Sequence, residues 1–446
     1  MSDGHETSGP ALPKEPIDTI KSPFQRFIHT ETAGGVVLLL AAIAALVIAN
    51  SVYGQGFDSF WRTIVGLRIG GTAWDFPLRH WINDGLVTLF FFVIGLEIKR
   101  EIAHGELSNP RDAVLPIIAA VGGMVVPAGL YLALATGPQA TSGWGVVMAT
   151  DIAFVVGCLA LLGKRVPDSL RIFVLALAII DDIGAILVIA IGYSHGFHVI
   201  PFVGALVGFG VTVLMQWSGV RSVLAYWFIG LLTWAALHQS GIHPTIAGVA
   251  LGLLTPVKPW VERDRLERFL EWAKSTAPSA LERELGHQPE SVRRKLARAA
   301  VESLSPQQRL EYALHPWSAF FVLPLFALAN AGVTISLAGA LDPIAVAIII
   351  GLTVGKPLGI FGFTWLAVVC GLARKPGDIS WPMLFAAGSL CGIGFTMALF
   401  IGNLAFDGGA LQSAKFGILI ASLISGGIGM GFLWALSRRS RATGSS

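Results

Sequence analysis

The stretch Leu170 to Gly192 reads L-R-I-F-V-L-A-L-A-I-I-D-D-I-G-A-I-L-V-I-A-I-G, and it limits what the chain can become. Its apolar run is long enough to cross a bilayer, and Asp181 and Asp182 stand side by side near its centre. Each aspartate at the middle of a spanning helix costs about 2.5–3.5 kcal/mol to insert. Adjacent carboxylates in low dielectric also resist ionising together. Such a doublet persists only against water, a counter-charge or an ion. It therefore reads as an ion or proton site inside a membrane protein.

Composition agrees. Of 446 residues, 54% are hydrophobic and only 13% charged, against about 25% charged in soluble chains. The 31 basic and 28 acidic residues nearly cancel, and the basic ones fall in short loops between apolar runs, which argues against nucleic-acid binding. Cys158, Cys370 and Cys391 lie in apolar segments without metal-ligand spacing and read as small buried hydrophobes. Mostly polar residues precede the first apolar run, so no cleavable signal is expected.

The apolar runs are Gly34 to Val52, Leu78 to about Ile98, and 113–135, 142–162, 169–193, 199–216, 222–237, 241–255, 316–332, 344–371, 381–404 and 412–436, twelve in all. Within Phe57 to Phe76 the string T-I-V-G-L-R-I-G-G-T-A-W-D-F alternates around Gly70-Gly71, and the stretch reads as a β-hairpin outside the membrane. The polar stretch 258–315 carries basic amphipathic segments expected to form surface helices lying on the membrane. The chain thus divides into a polar tail (1–30), a twelve-helix domain (31–437) and a basic tail (438–446).

Basic charge sorts the loops. One set holds Lys14, Lys21 and Arg26; Lys99, Arg100 and Arg111; Lys164 and Arg165; Arg221; the 258–315 stretch; Arg374 and Lys375; and Arg438, Arg439 and Arg441. The alternate set, about 136–141, 194–198, 238–240, 333–343 and 405–411, has none, and only the hairpin loop adds Arg62, Arg68 and Arg79. Both termini are then expected on the cytoplasmic side, the hairpin on the other.

Four ionisable groups lie deep in spans: Asp151, Asp181, Asp182 and Lys356. A set of ion pairs that only ties helices together would leave two negative charges over. Protons or a bound cation must neutralise them, and competition between the two is a mechanism of exchange. A hard monovalent cation such as sodium takes oxygen ligands, which carboxylates supply; Lys356 can shed a proton as the cation arrives. Neighbouring helical residues point about 100° apart, so the two central aspartates need not share one role.

Two spans look broken. Thr150-Asp151 interrupts one, and Gly388, Gly392 and Gly394 cluster in A-A-G-S-L-C-G-I-G-F-T-M-A-L-F. Interrupted helices leave half-helix ends in the membrane, positive ones suited to a carboxylate and negative ones to a lysine. Glycines there also serve plain close packing.

The chain resembles the NhaA-type sodium/proton antiporters from about Phe24 to Trp434. The strings that carry the likeness are W-I-N-D-G at 81–85, F-F-F-V-I-G-L-E-I-K-R-E at 90–101, A-T-D-I-A-F at 149–154 and A-L-A-I-I-D-D-I-G-A at 176–185. S-G-I-H-P-T-I-A-G at 240–248, H-P-W at 315–317, F-A-L-A-N-A-G-V at 326–333, G-K-P-L-G-I at 355–360 and C-G-I-G-F-T-M-A-L-F-I at 391–401 extend it. The resemblance implies an all-α polytopic membrane protein of twelve transmembrane helices, with inverted-topology repeats and two interrupted helices crossing mid-membrane, plus the small extracytoplasmic β-hairpin.

What it implies for function is electrogenic exchange of sodium or lithium for protons across the bacterial inner membrane, regulated by pH and needing no cofactor. Asp182 would be the main cation ligand, with Asp181 its neighbour and the proton-state partner of Lys356. Asp151 and Lys356 would compensate dipoles where the interrupted helices cross, and Thr150 would add an oxygen. Glu97, Arg100, Glu101 and Glu311 would form a pH-responsive cluster at a cytoplasmic funnel, with Asp84 toward the opposite side. The 57–76 hairpin would form a homodimer contact. Two departures from the enterobacterial members lie at the regulatory end: Tyr312 stands where those have histidine, and the 258–315 stretch is longer.

Blander readings stand beside these. Glu97, Arg100 and Glu101 also fit an ordinary charged helix end, His243 a structural histidine rather than a pH sensor, and the tryptophans interfacial anchors. An intramembrane aspartyl protease needs two carboxylates but no lysine. A light-driven pump could use Lys356 in a Schiff base, though the Gly-Lys-Pro setting suits it badly. A passive cation channel is the nearest rival.

Overall fold

The computed structural model describes residues 31–69, 72–194, 196–220, 222–259, 264–265, 267–272, 294, 299, 302–334 and 341–443. The N-terminal tail, most of the 258–315 stretch and the hairpin tip Gly70-Gly71 lie outside them. The described chain is mostly helical, with one two-stranded antiparallel sheet.

In order, the helices are α1 (Glu31–Ala49), α2 (Gly54–Trp61), α3 (Leu78–His104), α4 (Pro110–Leu134), α5 (Ile152–Leu162), α6 (Asp168–Gly192), α7 (Val199–Trp217), α8 (Val223–Gln239), α9 (Thr245–Leu254), α10 (Pro306–Asn330), α11 (Pro343–Val369), α12 (Trp381–Leu390), α13 (Phe395–Ala405) and α14 (Gly408–Thr443). Local chemistry sets several starts. Asn109 caps α4 by accepting from Arg111 N at 3.2 Å, with Pro110 in the first turn. Asp342 accepts from Ile344 N at 2.9 Å ahead of Pro343, and Ser380 accepts from Met383 N at 3.3 Å. Ser305 and Gln308 form a reciprocal capping box, each bond 3.2 Å. That box starts α10 at Pro306, inside the polar stretch and well before the apolar run at 316.

The sheet pairs β1 (Ile64–Ile69) with β2 (Thr72–Pro77), Ile64 opposite Pro77 and Ile69 opposite Thr72. It is shorter than the hairpin expected over 57–76. Residues Gly54–Trp61 fold as α2 instead, because Phe57 and Trp61 stack edge-on one turn apart at 5.8 Å and Asp58 pairs with Arg62 at 2.6 Å.

α6 is the centre. In its most apolar window 72% of residues are buried by other helices, against 11% in α7. α7 and α8 pack on each other and turn Ile200, Val207, Trp217, Leu224 and Phe228 outward, the pattern of a surface that meets lipid. Elsewhere small residues bring backbones together, since lipid removes the hydrophobic reward for helix association. α4 and α11 touch where a Cβ on Gly359 would lie 2.1 Å from Gly122 O, and α3 and α9 where a Cβ on Gly95 would lie 2.5 Å from Val249 O.

Gly359→Val should therefore lower the melting temperature in detergent, by overpacking worth about 1–3 kcal/mol. Gly362→Val, one turn away with no atom within 4 Å of the added Cβ, should leave it nearly unchanged.

Candidate ion-binding site

Two breaks in the helical path meet beside α6. The first follows a 3-10 segment, Ser142–Met148; Ala149 and Asp151 are extended, and α5 begins at Ile152. The second lies between α12 and α13, whose axes differ by 50°. Each break frees backbone groups that buried surroundings leave costly unless satisfied.

The two breaks satisfy each other. Asp151 N donates to Ile393 O at 2.7 Å. The Asp151 carboxylate accepts from Phe154 N at 3.3 Å, capping α5, and from Thr396 N at 2.9 Å and the Thr396 hydroxyl, capping α13. One buried carboxyl group thus sits at two helix N-termini. The carbonyl ends are met by donors: Thr150 Oγ1 donates to Cys391 O at 2.9 Å, and Lys356 Nζ donates to Met148 O.

Lys356 also donates to Asp181 Oδ2 at 2.7 Å, and both side chains are fully buried. A π turn, Gly351–Gly355, immediately precedes Lys356 in α11. Asp181 Oδ1 has no hydrogen-bond partner among the described residues. The Thr150 hydroxyl oxygen stands beside that carboxylate. Asp182, also buried, makes no hydrogen bond or ion pair within the described residues, and its charged neighbours are Asp181, Glu97, Asp151 and Lys356.

The charges can now be apportioned. Among the described residues helix ends take Asp151 and Lys356 takes Asp181, which leaves Asp182 and the Oδ1 oxygen of Asp181 without a partner. A hard cation fits that oxygen set, and so does a proton. Gly392 and Gly394 make the second break tight: a Cβ on Gly392 would lie 2.5 Å from Leu352 O, and one on Gly394 3.2 Å from Ala149 O.

The sequence profile of the family described as Na+/H+ antiporter 1 matches residues 25–433. The chain belongs to that family. It is 49% identical over 440 residues to a Na(+)/H(+) antiporter NhaA of Rhodopirellula baltica, covering 96% of this chain and 98% of that one. It is 47% identical over 433 residues to an NhaA of Rhizobium meliloti, with 96% and 98% covered, and 47% identical over 419 residues to NhaA 2 of Vibrio vulnificus, with 94% and 93% covered.

Other expected residues of this family member fall into two further groups. Arg100 pairs with Glu311 and lies 3.4 Å from Glu101 Oε1. Gln307 bonds Glu311 and donates to Leu96 O at 3.2 Å, tying the start of α10 to α3. Glu97 lies one turn earlier on α3 and reaches the electrostatic surroundings of Asp182. Asp84 stands on the same helix about 20 Å away, at 1.5 Å per residue, against His80 and His238 rather than near the doublet. His243 joins neither group; its Nδ1 lies 2.7 Å from Thr245 Oγ1 and its ring stands edge-on to Phe400.

Sequence reasoning misses Thr396, Met148 and an amide chain in which Asn403 donates to Asn330 at 3.1 Å and Asn330 to Asn83 at 2.8 Å. Thr396 follows the glycine cluster directly, and a polar residue opening a half-helix is the one signal for it. Met148 contributes only a carbonyl and has no side-chain signal.

Two substitutions separate the central roles. Lys356→Ala leaves a buried Asp181 and a helix-end carbonyl unpaired, so it should destabilise by about 3–5 kcal/mol and lower the melting temperature sharply. Asp182→Asn breaks no bond and should leave that temperature unchanged or higher.

Proposed function

We propose that the chain exchanges sodium or lithium for protons across the bacterial inner membrane, serving sodium and pH homeostasis. The observation that carries this reading is Asp182: among the described residues it is a buried carboxylate without a hydrogen-bond or ion-pair partner, next to Asp181, whose salt bridge is to a buried lysine. Membership of a family whose relatives are named Na(+)/H(+) antiporters supports it.

The exchange follows from charge. In the proton-loaded state Asp182 carries a proton and Lys356 holds Asp181. A cation arriving at the Asp182 oxygens, the free Asp181 oxygen and the Thr150 hydroxyl displaces the first proton. It also competes with Lys356 for Asp181, and the freed ammonium, stripped of its counter-ion in low dielectric, releases a second. Two protons against one cation make each cycle electrogenic. Asp151 keeps both half-helix starts fixed while Lys356 moves. No covalent step and no cofactor is required; the ions are cargo.

The finer architecture is part of the proposal. Among the described residues, eight helical stretches are long and apolar enough to cross a bilayer, or ten with each bent pair as one span, beside two shorter apolar helices; the twelve spans and cytoplasmic termini of this proposal rest on the apolar runs and the basic-loop rule. Hydrogen bonds running between the two breaks fit interrupted helices that cross mid-membrane in inverted repeats. The Arg100–Glu311–Gln307 contacts join α3 to α10 and are suited to reporting cytoplasmic pH to Glu97 and the doublet. The hairpin region 57–76 is proposed as the contact between two copies.

In everted vesicles, Asp182→Asn should abolish sodium- and lithium-driven proton movement while the protein still inserts and folds. Retained activity would refute the role of Asp182. Sodium flux without opposed proton flow would instead identify a channel. Turnover in proteoliposomes should respond to an imposed membrane potential, and indifference to it would contradict the two-proton cycle.

A further inference from the structure

A second convergence of donor atoms lies away from the doublet. His80 immediately precedes the π turn Trp81–Leu86 near the start of α3, Asp84 lies within that turn, and His238 comes from the last turn of α8. His80 Nε2 stands 3.3 Å from His238 Nε2 and 3.6 Å from Asp84 Oδ2. Donor atoms of all three residues fall within 4.8 Å of one another.

These spacings have a chemical meaning. Zinc bonds to nitrogen and oxygen of about 2.0–2.1 Å in tetrahedral geometry place neighbouring donor atoms about 3.3–3.4 Å apart. The two measured edges lie close to that value. A shared hydrogen bond accounts for one edge, between the imidazoles, and leaves a carboxylate on the same nitrogen. Two histidines and one carboxylate also make a donor set that zinc uses with its fourth position open. Imidazole selects against sodium, magnesium and calcium, which take oxygen.

The donors are held in place. His80 stacks on Phe76 with ring centres 4.3 Å apart. His238 lies against Trp74 at 5.2 Å and Trp234 at 5.7 Å. Trp234 Nε1 donates to the Asp84 carbonyl at 3.0 Å. The three ligands share a pocket walled by Trp74, Phe76, Trp81 and Trp234.

We propose that His80, Asp84 and His238 bind a transition-metal dication, zinc by geometry, which ties the hairpin end of α3 to α8. The site is independent of the exchange reading, since none of its ligands touches Asp181, Asp182 or Lys356.

The test uses the full chain, purified without a histidine tag, titrated with zinc chloride by calorimetry and with cobalt chloride by absorbance. One saturable zinc site, a raised melting temperature and the visible bands of tetrahedral cobalt are expected. His238→Ala and, separately, His80→Gln should weaken zinc binding at least tenfold and remove the bands and the thermal shift, with metal-free melting retained in at least one of them. Zinc binding of equal strength in wild type and both variants would place the metal on other histidines and overturn the proposal. Absence of saturable binding in the wild type would overturn it equally.

Discussion

One carboxylate, Asp151, holds the starts of two helices together, and the rest of the centre follows from that. Breaking a helix inside an apolar body frees donors at one half and acceptors at the other, and each must find a partner. Asp151 meets the donors of α5 and α13. The Thr150 hydroxyl and Lys356 meet carbonyls at the ends of the preceding halves. The consequence is electrostatic. With Asp151 committed to helix ends and Lys356 to Asp181, the doublet on α6 keeps one carboxylate that no group among the described residues pairs with.

That imbalance is what suits the site to the proposed exchange. A fully paired centre would be inert, and a centre with surplus ionised charge would not persist in a buried setting. On the proposed exchange Asp182 is satisfied by a proton or a cation in turn, and the cation displaces Lys356 from the neighbouring Asp181. The packing around it is correspondingly rigid: α6 is buried over most of its apolar length, and glycine contacts such as Gly122 with Gly359 fix the helix that carries Lys356. Proposed movement is then confined to the lysine head and the ions, on a scaffold whose breaks are pinned.

Much of this is legible in the sequence. The doublet, Asp151 and Lys356 announce themselves as charges in apolar runs, and the glycine cluster marks the second break. The partners do not, because they are set by contacts between distant segments: Asp151 reaches Thr396 across 245 positions and Lys356 reaches Met148 across 208. A carbonyl carries no residue type to read. The same holds for His80 and His238, separated by 158 positions; each alone looks like a histidine at the end of an apolar helix. Boundaries err most, as at Phe57–Trp61, taken into the expected hairpin span although aromatic stacking one turn apart goes with a helix there. In the polar stretch, the capping box at Ser305 decides a start that hydropathy places later.

Competition between a proton and an alkali ion for the same buried oxygens is best tested by sodium titration calorimetry across pH, on wild type beside Asp182→Asn. Apparent sodium affinity should weaken on the acid side by about tenfold per pH unit for each proton displaced, and the variant should not bind. Sodium affinity that stays constant with acidity in the wild type, or survives loss of the Asp182 charge, would contradict exchange at this site.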